Sequence, residues 1–293
     1  HDHQAREAMT TKIDAALASA ISDDQGAPPK LSSAIRYAVF PGGARIRPRL
    51  CLAVAEACGN DAPAVVEAAA CALELVHCAS LVHDDLPCFD DASTRRGKPS
   101  VHRMFGEPLA VLTGDALIVL AFETLARGAS QVPSRLAPLT LTLARAIGTP
   151  GGLIAGQAWE SEPAVPLEPY HRAKTCSLFM AATMSGAIAT GRDPQPWRAM
   201  GERLGEAYQV ADDLLDALAR RDEAGKPIQQ DAALGRPNAV AILGVEGAVT
   251  RLRQLVAEAA ASVPACAGAP VLRGLVLEMA ERLVPASLKQ FAA

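Results

Sequence analysis

The sequence predicts an all-α protein with a single domain, and three observations lead to that prediction. Half of the residues are apolar and alanine is frequent, whereas aromatic residues make up only 4%; this composition favours a helical core over a sheet. No segment alternates apolar and polar residues as a strand does. The segments rich in glycine and proline are short, so residues 1–293 are expected to form one domain.

Charge and cysteine content argue against several classes of protein. The net charge of -4 is unlike that of a nucleic-acid-binding domain. Glu67, Glu74 and His77 interrupt the best apolar run, so no membrane span is expected. The seven cysteines contain no C-x-x-C pair, which favours buried thiols over a disulfide frame. Without a visible secretory signal, a cytoplasmic location is expected, and residues 1–8 are expected to be disordered or a cloning remnant.

Helices are predicted wherever apolar residues recur at helical spacing between glycine or proline breakers. In chain order, the predicted helices are Glu7 to Ile21, a short helix into Pro41, a helix through Cys58, the long apolar helix Pro63 to Asp85, Pro108 to Leu125, Pro133 to Ile147, a short helix holding Gln157 and Glu160, His171 to Thr190, Pro196 to Ala219, and three helices from Asn238 to the C-terminus.

Four carboxylates follow the long apolar helix directly, in Asp84-Asp-Leu-Pro-Cys-Phe-Asp-Asp91. Ionised carboxylates beside buried apolar surface require an ion pair, hydrogen bonds or a bound cation. Pro87 cannot continue the helix, so Asp90 and Asp91 are expected to return toward Asp84 and Asp85 through a turn. An exposed acidic loop is the alternative that this cluster alone leaves open.

A second acidic cluster lies on a later helix. Gln209, Asp212, Asp213 and Asp216 fall within about a quarter turn of one another on an otherwise apolar helix. Two such acidic rows facing each other would repel unless cations lay between them. All-oxygen ligands suit Mg²⁺ rather than Zn²⁺, and Mg²⁺ is usually bound by a few carboxylates together with substrate phosphates.

Basic residues lie in four short segments that suit an anion such as a diphosphate. The glycine pair of Gly42-Gly-Ala-Arg-Ile-Arg-Pro48 exposes backbone N–H groups near two arginines. Thr94-Arg-Arg-Gly-Lys-Pro99 is expected to be a phosphate clamp. Lys174 with Thr175, and Lys226, are further phosphate candidates. Ordinary surface charge is the alternative that each segment alone leaves open.

Taken together, these motifs resemble the trans-polyprenyl diphosphate synthases over nearly the whole chain. The order D-D-x-x-x-x-D from Asp84 and then D-D-x-x-D from Asp212 is specific. The resemblance is strongest to bacterial short-chain members, geranylgeranyl diphosphate synthases in particular and farnesyl diphosphate synthases next. It implies an isoprenoid synthase bundle around a deep central cavity, Mg²⁺ dependence, a homodimer, and condensation of isopentenyl diphosphate with allylic diphosphates.

The resemblance also implies a role for individual residues. Family members commonly have lysine where this chain has Ala44, and Arg45 is the candidate substitute. The implied Mg²⁺ ligands are Asp84, Asp85, Asp90, Asp212, Asp213 and Asp216. The implied contacts of the allylic diphosphate are Arg95, Lys174, Thr175, Gln209 and Lys226, and those of isopentenyl diphosphate are Arg47, His77 and Arg96. Implied catalytic residues are Asp84, Asp85, Asp90, Lys174, Asp212 and Asp213.

Product length requires a steric limit, because burial of each added five-carbon unit would favour binding by about 4 kcal/mol. Ala72, Val76 and Ala79 form a stripe on the helix that leads away from Asp84. In the family, shorter-product members tend to have an aromatic residue five positions before the first aspartate. Ala79 occupies that position here, which predicts a C20 product, with C15 as the alternative.

Other functions remain open at this point. A regulatory homologue or a terpenoid cyclase would share the fold. The two E-x-x-H matches, Glu74 to His77 and Glu168 to His171, have the ligand spacing of a di-iron helical bundle, although Pro169 makes the second a poor site within a helix. A helical scaffold without catalytic activity is the last alternative.

Overall fold

The computed structural model describes residues 2–22, 25–222 and 238–292, and their helices confirm the predicted all-α class. Prolines at the first or second position start α2, α4 and α6, where their missing N–H costs nothing. The α-helices are α1 (Asp2–Ala20), α2 (Pro29–Val39), α3 (Ile46–Ala57), α4 (Pro63–Asp84), α5 (Val101–Phe105), α6 (Glu107–Gly128), α7 (Leu136–Ile147), α8 (Leu153–Trp159), α9 (Leu167–His171), α10 (Ser177–Ala189), α11 (Arg198–Asp222), α12 (Ala239–Ala261) and α13 (Ala269–Leu283).

Three local features differ from the sequence predictions. Helix α1 already includes residues 3–8, which were expected to be disordered or a cloning remnant. The basic segment after the first acidic cluster is a small antiparallel hairpin of β1 (Thr94–Arg95) and β2 (Lys98–Pro99). Between α9 and α10 the chain continues as a π-helical segment, Arg172–Cys176.

The described residues divide into two compact units. Unit 1 comprises His1–Ala144 and Ser185–Asp193, and unit 2 comprises Arg145–Met184 and Pro194–Ala293. The first acidic cluster belongs to unit 1 and the second to unit 2. That the units combine into one domain around a central cavity stays a prediction.

The core of unit 1 is built around α4, which packs against α1, α2, α3 and α6. Helix α4 consists mostly of apolar, buried residues, as expected of a helix at the centre of a core. It also meets α6 through small residues, since a Cβ added at Gly128 would lie 2.1 Å from the Cβ of Ala68. By length and composition both α4 and α6 could cross a bilayer, but the most apolar window of α4 is 78% buried inside the protein. The corresponding window of α6 is 33% buried.

In unit 2, the long helix α11 packs against α12 and against the π-helical segment. Glycines permit the second contact: a Cβ at Gly205 would come within 2.8 Å of the Cα of Cys176. At Gly201 an added Cβ would lie 2.6 Å from the Cα of Met180 in α10. These close backbone approaches fix α11, and therefore the second acidic cluster, relative to the π-helical segment.

Candidate active site

The first acidic motif ends α4 and folds back on itself. The backbone N–H of Asp90 donates to the carbonyl oxygen of Asp84 at 2.9 Å, and Ala92 donates to the carbonyl of Asp85 at 3.0 Å. Asp91 adopts a left-handed backbone with φ 49°, a conformation that aspartate tolerates better than most residues. The turn expected from Pro87 is therefore present, and it brings Asp90 back to Asp84.

Within this motif, Asp85 forms a partly buried ion pair with Arg95. Arg95 donates to both oxygens of Asp85, from Nη2 at 2.6 Å and from Nε at 3.1 Å. Asp85 is only 2% exposed, whereas Asp84 and Asp90 are partly exposed. Burial opposes the charge of Arg95, but its hydrogen bonds to Asp85 and the nearby acids outweigh that cost and raise the pKa of the guanidinium. Asp85 and Arg95 thus join the acidic motif to β1.

A second set of contacts fixes the hairpin that carries Arg95 and Arg96. The ammonium of Lys98 donates to the carbonyl oxygens of Tyr37 at 2.9 Å and Phe40 at 3.0 Å, at the end of α2. It also lies 3.9 Å from the centre of the Tyr37 ring, and the Tyr37 hydroxyl donates to the carbonyl of Pro99 at 2.6 Å. The hairpin is therefore clamped to the end of α2 through both residues of β2.

The structure corrects the expectation for Arg45. Its side chain has no exposed surface and pairs with Asp14 at 2.9 Å and Glu74 at 3.0 Å, while Nη2 donates to the carbonyl of Val39 at 2.7 Å. Gly42 leaves room for this guanidinium, because a Cβ there would lie 2.0 Å from Cζ of Arg45. Arg45 is a buried core ion pair, so the structure gives it no surface with which to bind isopentenyl diphosphate.

Three other basic groups of unit 1 lie near one another. Nη1 of Arg47 is 3.4 Å from Nε2 of His77, and the guanidinium of Arg96 lies against Gly43, where a Cβ would be 3.0 Å from Nη2. Burial, followed by the charges of Arg47 and Arg96, lowers the pKa of His77 well below its usual value. A neutral imidazole beside two guanidinium groups suits an anion.

The second acidic motif has one buried and two more accessible aspartates. Asp213 is 2% exposed, and its oxygens accept from Nε2 of Gln209 at 2.9 Å and from the backbone N–H of Ala239 at 2.8 Å. Asp212 is exposed and Asp216 is partly exposed. Asp213 therefore ties α11 to the start of α12, where the helix dipole favours a negative charge.

The π-helical segment carries two predicted phosphate ligands, Lys174 and Thr175, and Thr175 contacts α11. The hydroxyl of Thr175 donates to Oε1 of Gln209 at 3.1 Å, which links Thr175 through the Gln209 amide to Asp213. The Lys174 ammonium, one residue earlier, pairs with Glu160. The structure thus brings Thr175, Gln209 and Asp213 together within unit 2, while the side chain of Lys174 contacts Glu160 and Tyr170.

Known proteins match this chain over most of its length. The family model described as polyprenyl synthetase matches residues 28–268. The chain belongs to the polyprenyl synthetase family. This polyprenyl synthetase is 57% identical, over 96% of its length and 98% of the relative's, to a protein of Cereibacter sphaeroides named geranylgeranyl diphosphate synthase. It is 51% identical to a protein of the same name from Rhodobacter capsulatus, over 96% and 99% of the two chains.

Solved structures show the same fold. A farnesyl/geranylfarnesyl (FPP/GFPP) synthase of Zymomonas mobilis, solved in its apo form, matches 95% of this polyprenyl synthetase and 98% of its own chain, with a TM-score of 0.79 and 30% identity. A geranyltransferase of Legionella pneumophila matches 99% of this chain and 97% of its own, with a TM-score of 0.82 and 26% identity. Family membership removes the di-iron bundle and the non-catalytic scaffold. Glu74 of the first E-x-x-H match is in any case paired with Arg45.

The remaining predicted residues stand as follows. Lys226 lies outside the described residues. Ala72, Val76 and Ala79 of this polyprenyl synthetase are each 1% exposed on α4, and their role in limiting product length stays a prediction. The predicted metal and substrate roles of the residues described above likewise stay predictions.

Sequence reasoning missed Glu160 and Tyr170. Both side chains contact the Lys174 ammonium, yet Glu160 is fourteen positions from the lysine and looks like an ordinary surface acid. The available signal was the sequence Gln157-Ala-Trp-Glu160, which places two polar side chains on one side of an otherwise apolar helix end.

Proposed function

We propose that this polyprenyl synthetase is a Mg²⁺-dependent prenyltransferase that condenses isopentenyl diphosphate with allylic diphosphates, giving geranylgeranyl diphosphate as its main product. The observation that carries the proposal is that each unit presents accessible aspartates beside fixed cationic groups. The two relatives named geranylgeranyl diphosphate synthase, at 57% and 51% identity, support this product over farnesyl diphosphate.

The accessible carboxylates fit a magnesium site. Asp84, Asp90, Asp212 and Asp216 offer oxygen donors that are at least partly exposed, and Mg²⁺ prefers such donors together with phosphate oxygens and water. Asp85 and Asp213 support them by fixing the hairpin and α12. Bound Mg²⁺ would neutralise charge on the leaving diphosphate and so favour its departure.

The residues of unit 2 are suited to the allylic diphosphate. In the proposed reaction the allylic C–O bond breaks, the diphosphate leaves with the electron pair, and an allylic cation remains. Lys174 donates to the diphosphate, and Thr175 and Gln209 form the polar wall beside it. Fixed donors of this kind stabilise charge as it develops, because they need no reorganisation during the reaction.

The residues of unit 1 are suited to isopentenyl diphosphate. We assign its diphosphate to Arg47, His77 and Arg96, which already lie close together. The double bond of isopentenyl diphosphate then attacks the cation, and the released diphosphate takes up a proton from the new cation, which restores a double bond in the longer product. Water would capture the cation, so the reaction needs the dry surroundings that apolar helices such as α4 supply.

We propose that Ala79 limits the product to C20. Its methyl group leaves more room for hydrocarbon than the aromatic residue expected in a shorter-product enzyme. Val76 and Ala72 lie one and two turns further along α4, away from Asp84. The helix that ends in the first acidic motif therefore also limits the chain length of the product.

A cytoplasmic homodimer is part of the proposal. Val111, Leu112 and Val119 of α6 are 42%, 51% and 69% exposed, and contiguous apolar surface of this kind marks an association site. None of the seven cysteines, all of which lie in the described residues, forms a disulfide, which suits a reducing compartment. Light scattering after size-exclusion chromatography should give a dimer, and Val119→Glu should shift it toward monomer; a wild-type monomer would contradict the assignment.

The activity is tested by incubating the purified protein with isopentenyl diphosphate, farnesyl diphosphate and Mg²⁺, followed by chromatography of the products. A C20 prenyl diphosphate is expected, and EDTA should abolish its formation. Failure to elongate any allylic diphosphate would refute the prenyltransferase proposal. Products that stop at C15 from dimethylallyl or geranyl diphosphate would replace it with farnesyl diphosphate synthase.

A further inference from the structure

Glu160 occupies the centre of a small hydrogen-bonded cluster in unit 2. It follows the last residue of α8, and its Oε1 accepts from the Lys174 ammonium and from the Tyr170 hydroxyl, the latter at 2.5 Å. Its other oxygen lies 3.4 Å from Nε2 of Gln157. The Lys174 ammonium is also 3.3 Å from the Tyr170 hydroxyl, so three side chains meet at one carboxylate.

The backbone around this cluster is fixed as well. Gly156 of α8 lies against the π-helical segment, because an added Cβ would come within 2.9 Å of the Lys174 nitrogen and 3.0 Å of its Cα. Tyr170 is 5% exposed. The side chains of Lys174 and Glu160 are only 26% and 19% exposed, and an ion pair so enclosed is less weakened by solvent than a surface pair.

This arrangement leaves the lysine able to bind a further anion. An ammonium has three N–H donors; Glu160 accepts one and the Tyr170 hydroxyl lies near a second. A lysine side chain has four flexible methylene groups, and ordering it only when substrate arrives would weaken binding. A carboxylate that orders it beforehand removes that cost.

We propose that Glu160, assisted by Tyr170, is a positioning residue that holds the Lys174 ammonium in place for the allylic diphosphate. The proposal rests on the proposed function, since it takes Lys174 as a diphosphate ligand. It assigns Glu160 no contact with either substrate. Its effect on the reaction passes through Lys174 alone.

The decisive experiment is a double-mutant cycle of Glu160→Gln and Lys174→Ala, with the two substrates varied separately. Glu160→Gln keeps the shape of the side chain but removes its charge. In the wild-type background it should raise KM for the allylic diphosphate and lower kcat, with kcat/KM falling about 10- to 100-fold. The KM for isopentenyl diphosphate should change less than about twofold, because the shift in Lys174 is local.

In the Lys174→Ala background, Glu160→Gln should have no further effect on kcat/KM. An equal loss in both backgrounds would show that Glu160 acts independently of Lys174 and would overturn the proposal. Wild-type kinetics for Glu160→Gln would overturn it too. A wild-type enzyme without any condensing activity would instead refute the proposed function.

Two further variants control for the loss of a negative charge elsewhere and for the change of side chain at position 160. Glu162→Gln removes the same charge from an exposed carboxylate two residues away, and it should behave as wild type. Glu160→Asp keeps the charge and should recover part of the allylic KM. If Glu160→Gln fails to fold by circular dichroism, Tyr170→Phe, which removes one hydroxyl, replaces it in the cycle; an unchanged allylic KM in that variant would then count against the proposal.

Discussion

Asp212 and Asp213 are neighbours in sequence with different surroundings, and they predict different consequences of the same substitution. Asp212 is exposed, whereas Asp213 is buried and accepts from Gln209 and the N–H of Ala239. Asp213→Ala leaves two partly buried donors without their acceptor, so it should abolish turnover and also lower the free energy of unfolding by about 1–3 kcal/mol. Asp212→Ala should also abolish turnover, but it should change the free energy of unfolding by less than about 0.5 kcal/mol.

Urea unfolding and steady-state turnover of the two variants test this difference. Equal stability losses would mean that the buried hydrogen bonds of Asp213 contribute nothing. Full turnover in Asp212→Ala would remove that residue from the proposed metal site.

His77 predicts a dependence of stability on pH. Burial and then the charges of Arg47 and Arg96 hold its pKa well below the usual value, which is near 6.5 in an unfolded chain. As the pH falls below about 6.5, the unfolded chain therefore binds a proton that the folded protein does not. Stability is fully retained above that pH and declines as the pH falls toward the lowered pKa.

Urea midpoints between pH 5 and pH 7.5 measure the effect, with His77→Gln as the variant. The wild-type midpoint should fall more steeply with decreasing pH than that of His77→Gln, because the variant lacks this titration. Parallel profiles for the two proteins would contradict the assignment to His77.

Ala79 predicts product length. Ala79→Phe should shift the main product from C20 toward C15 because the ring occupies hydrocarbon space, and overpacking a residue that is 1% exposed should cost about 1–3 kcal/mol. Ala70→Phe is the matched control, since Ala70 is also 1% exposed and lies two and a half turns earlier, on the opposite side of α4. The control should lose stability without shortening the product, and unchanged products from Ala79→Phe would refute the limit.

At the scale of single residues, the sequence identified the candidate site residues better than the contacts that they make. The carboxylates and their order were visible from spacing alone. The burial of Arg45 was not, because it depends on Asp14 and Glu74, which lie in helices far along the chain. Glu160 was missed for the same reason: its pairing with Lys174 exists only once α8 and the π-helical segment are in contact.

Among the elements, the contact between α4 and α6 predicts how the first acidic motif is held. Nε2 of His83 lies 3.0 Å from the carbonyl oxygen of Val111, and a Cβ at Gly114 would lie 2.0 Å from the same Nε2. Gly114→Ala should therefore push His83, and Asp84 beside it, out of position. Turnover should fall about 10- to 100-fold. The free energy of unfolding should fall by about 1–3 kcal/mol.

Gly274→Ala is the control for that change, because nothing lies within 4 Å of an added Cβ there. Replacing a helical glycine by alanine should stabilise the protein by about 0.4–1 kcal/mol and leave turnover unchanged. Thermal unfolding and turnover of both variants test the pair. Wild-type turnover in Gly114→Ala would show that the α4–α6 contact does not position Asp84.

Most elements could be predicted from the sequence, since prolines and glycines mark the helix ends and the apolar periodicity is long. The start of α6 was predicted at Pro108 and is Glu107. The hairpin and the π-helical segment could not be predicted. The first depends on the clamp by Tyr37 and Lys98, and the second on the close approach of Gly156, so both are set by tertiary contacts rather than local preference.

For the whole molecule, composition together with the absence of strand-type alternation was sufficient to predict the all-α class. Alanine-rich apolar segments without strand alternation leave no other way to bury so much apolar surface. Whether the two acidic motifs face each other could not be established in the same way, because each motif belongs to its own unit. That they do so remains the central prediction of the mechanism proposed for this polyprenyl synthetase.

Anomalous diffraction from crystals grown with Mn²⁺, in place of Mg²⁺, and an unreactive allylic thiolodiphosphate tests that prediction most directly. The expected result is metal ions around one diphosphate, with ligands from Asp84 or Asp90 on one side and from Asp212 or Asp216 on the other. Ions bound to one motif alone, or aspartate motifs that point away from each other, would contradict it.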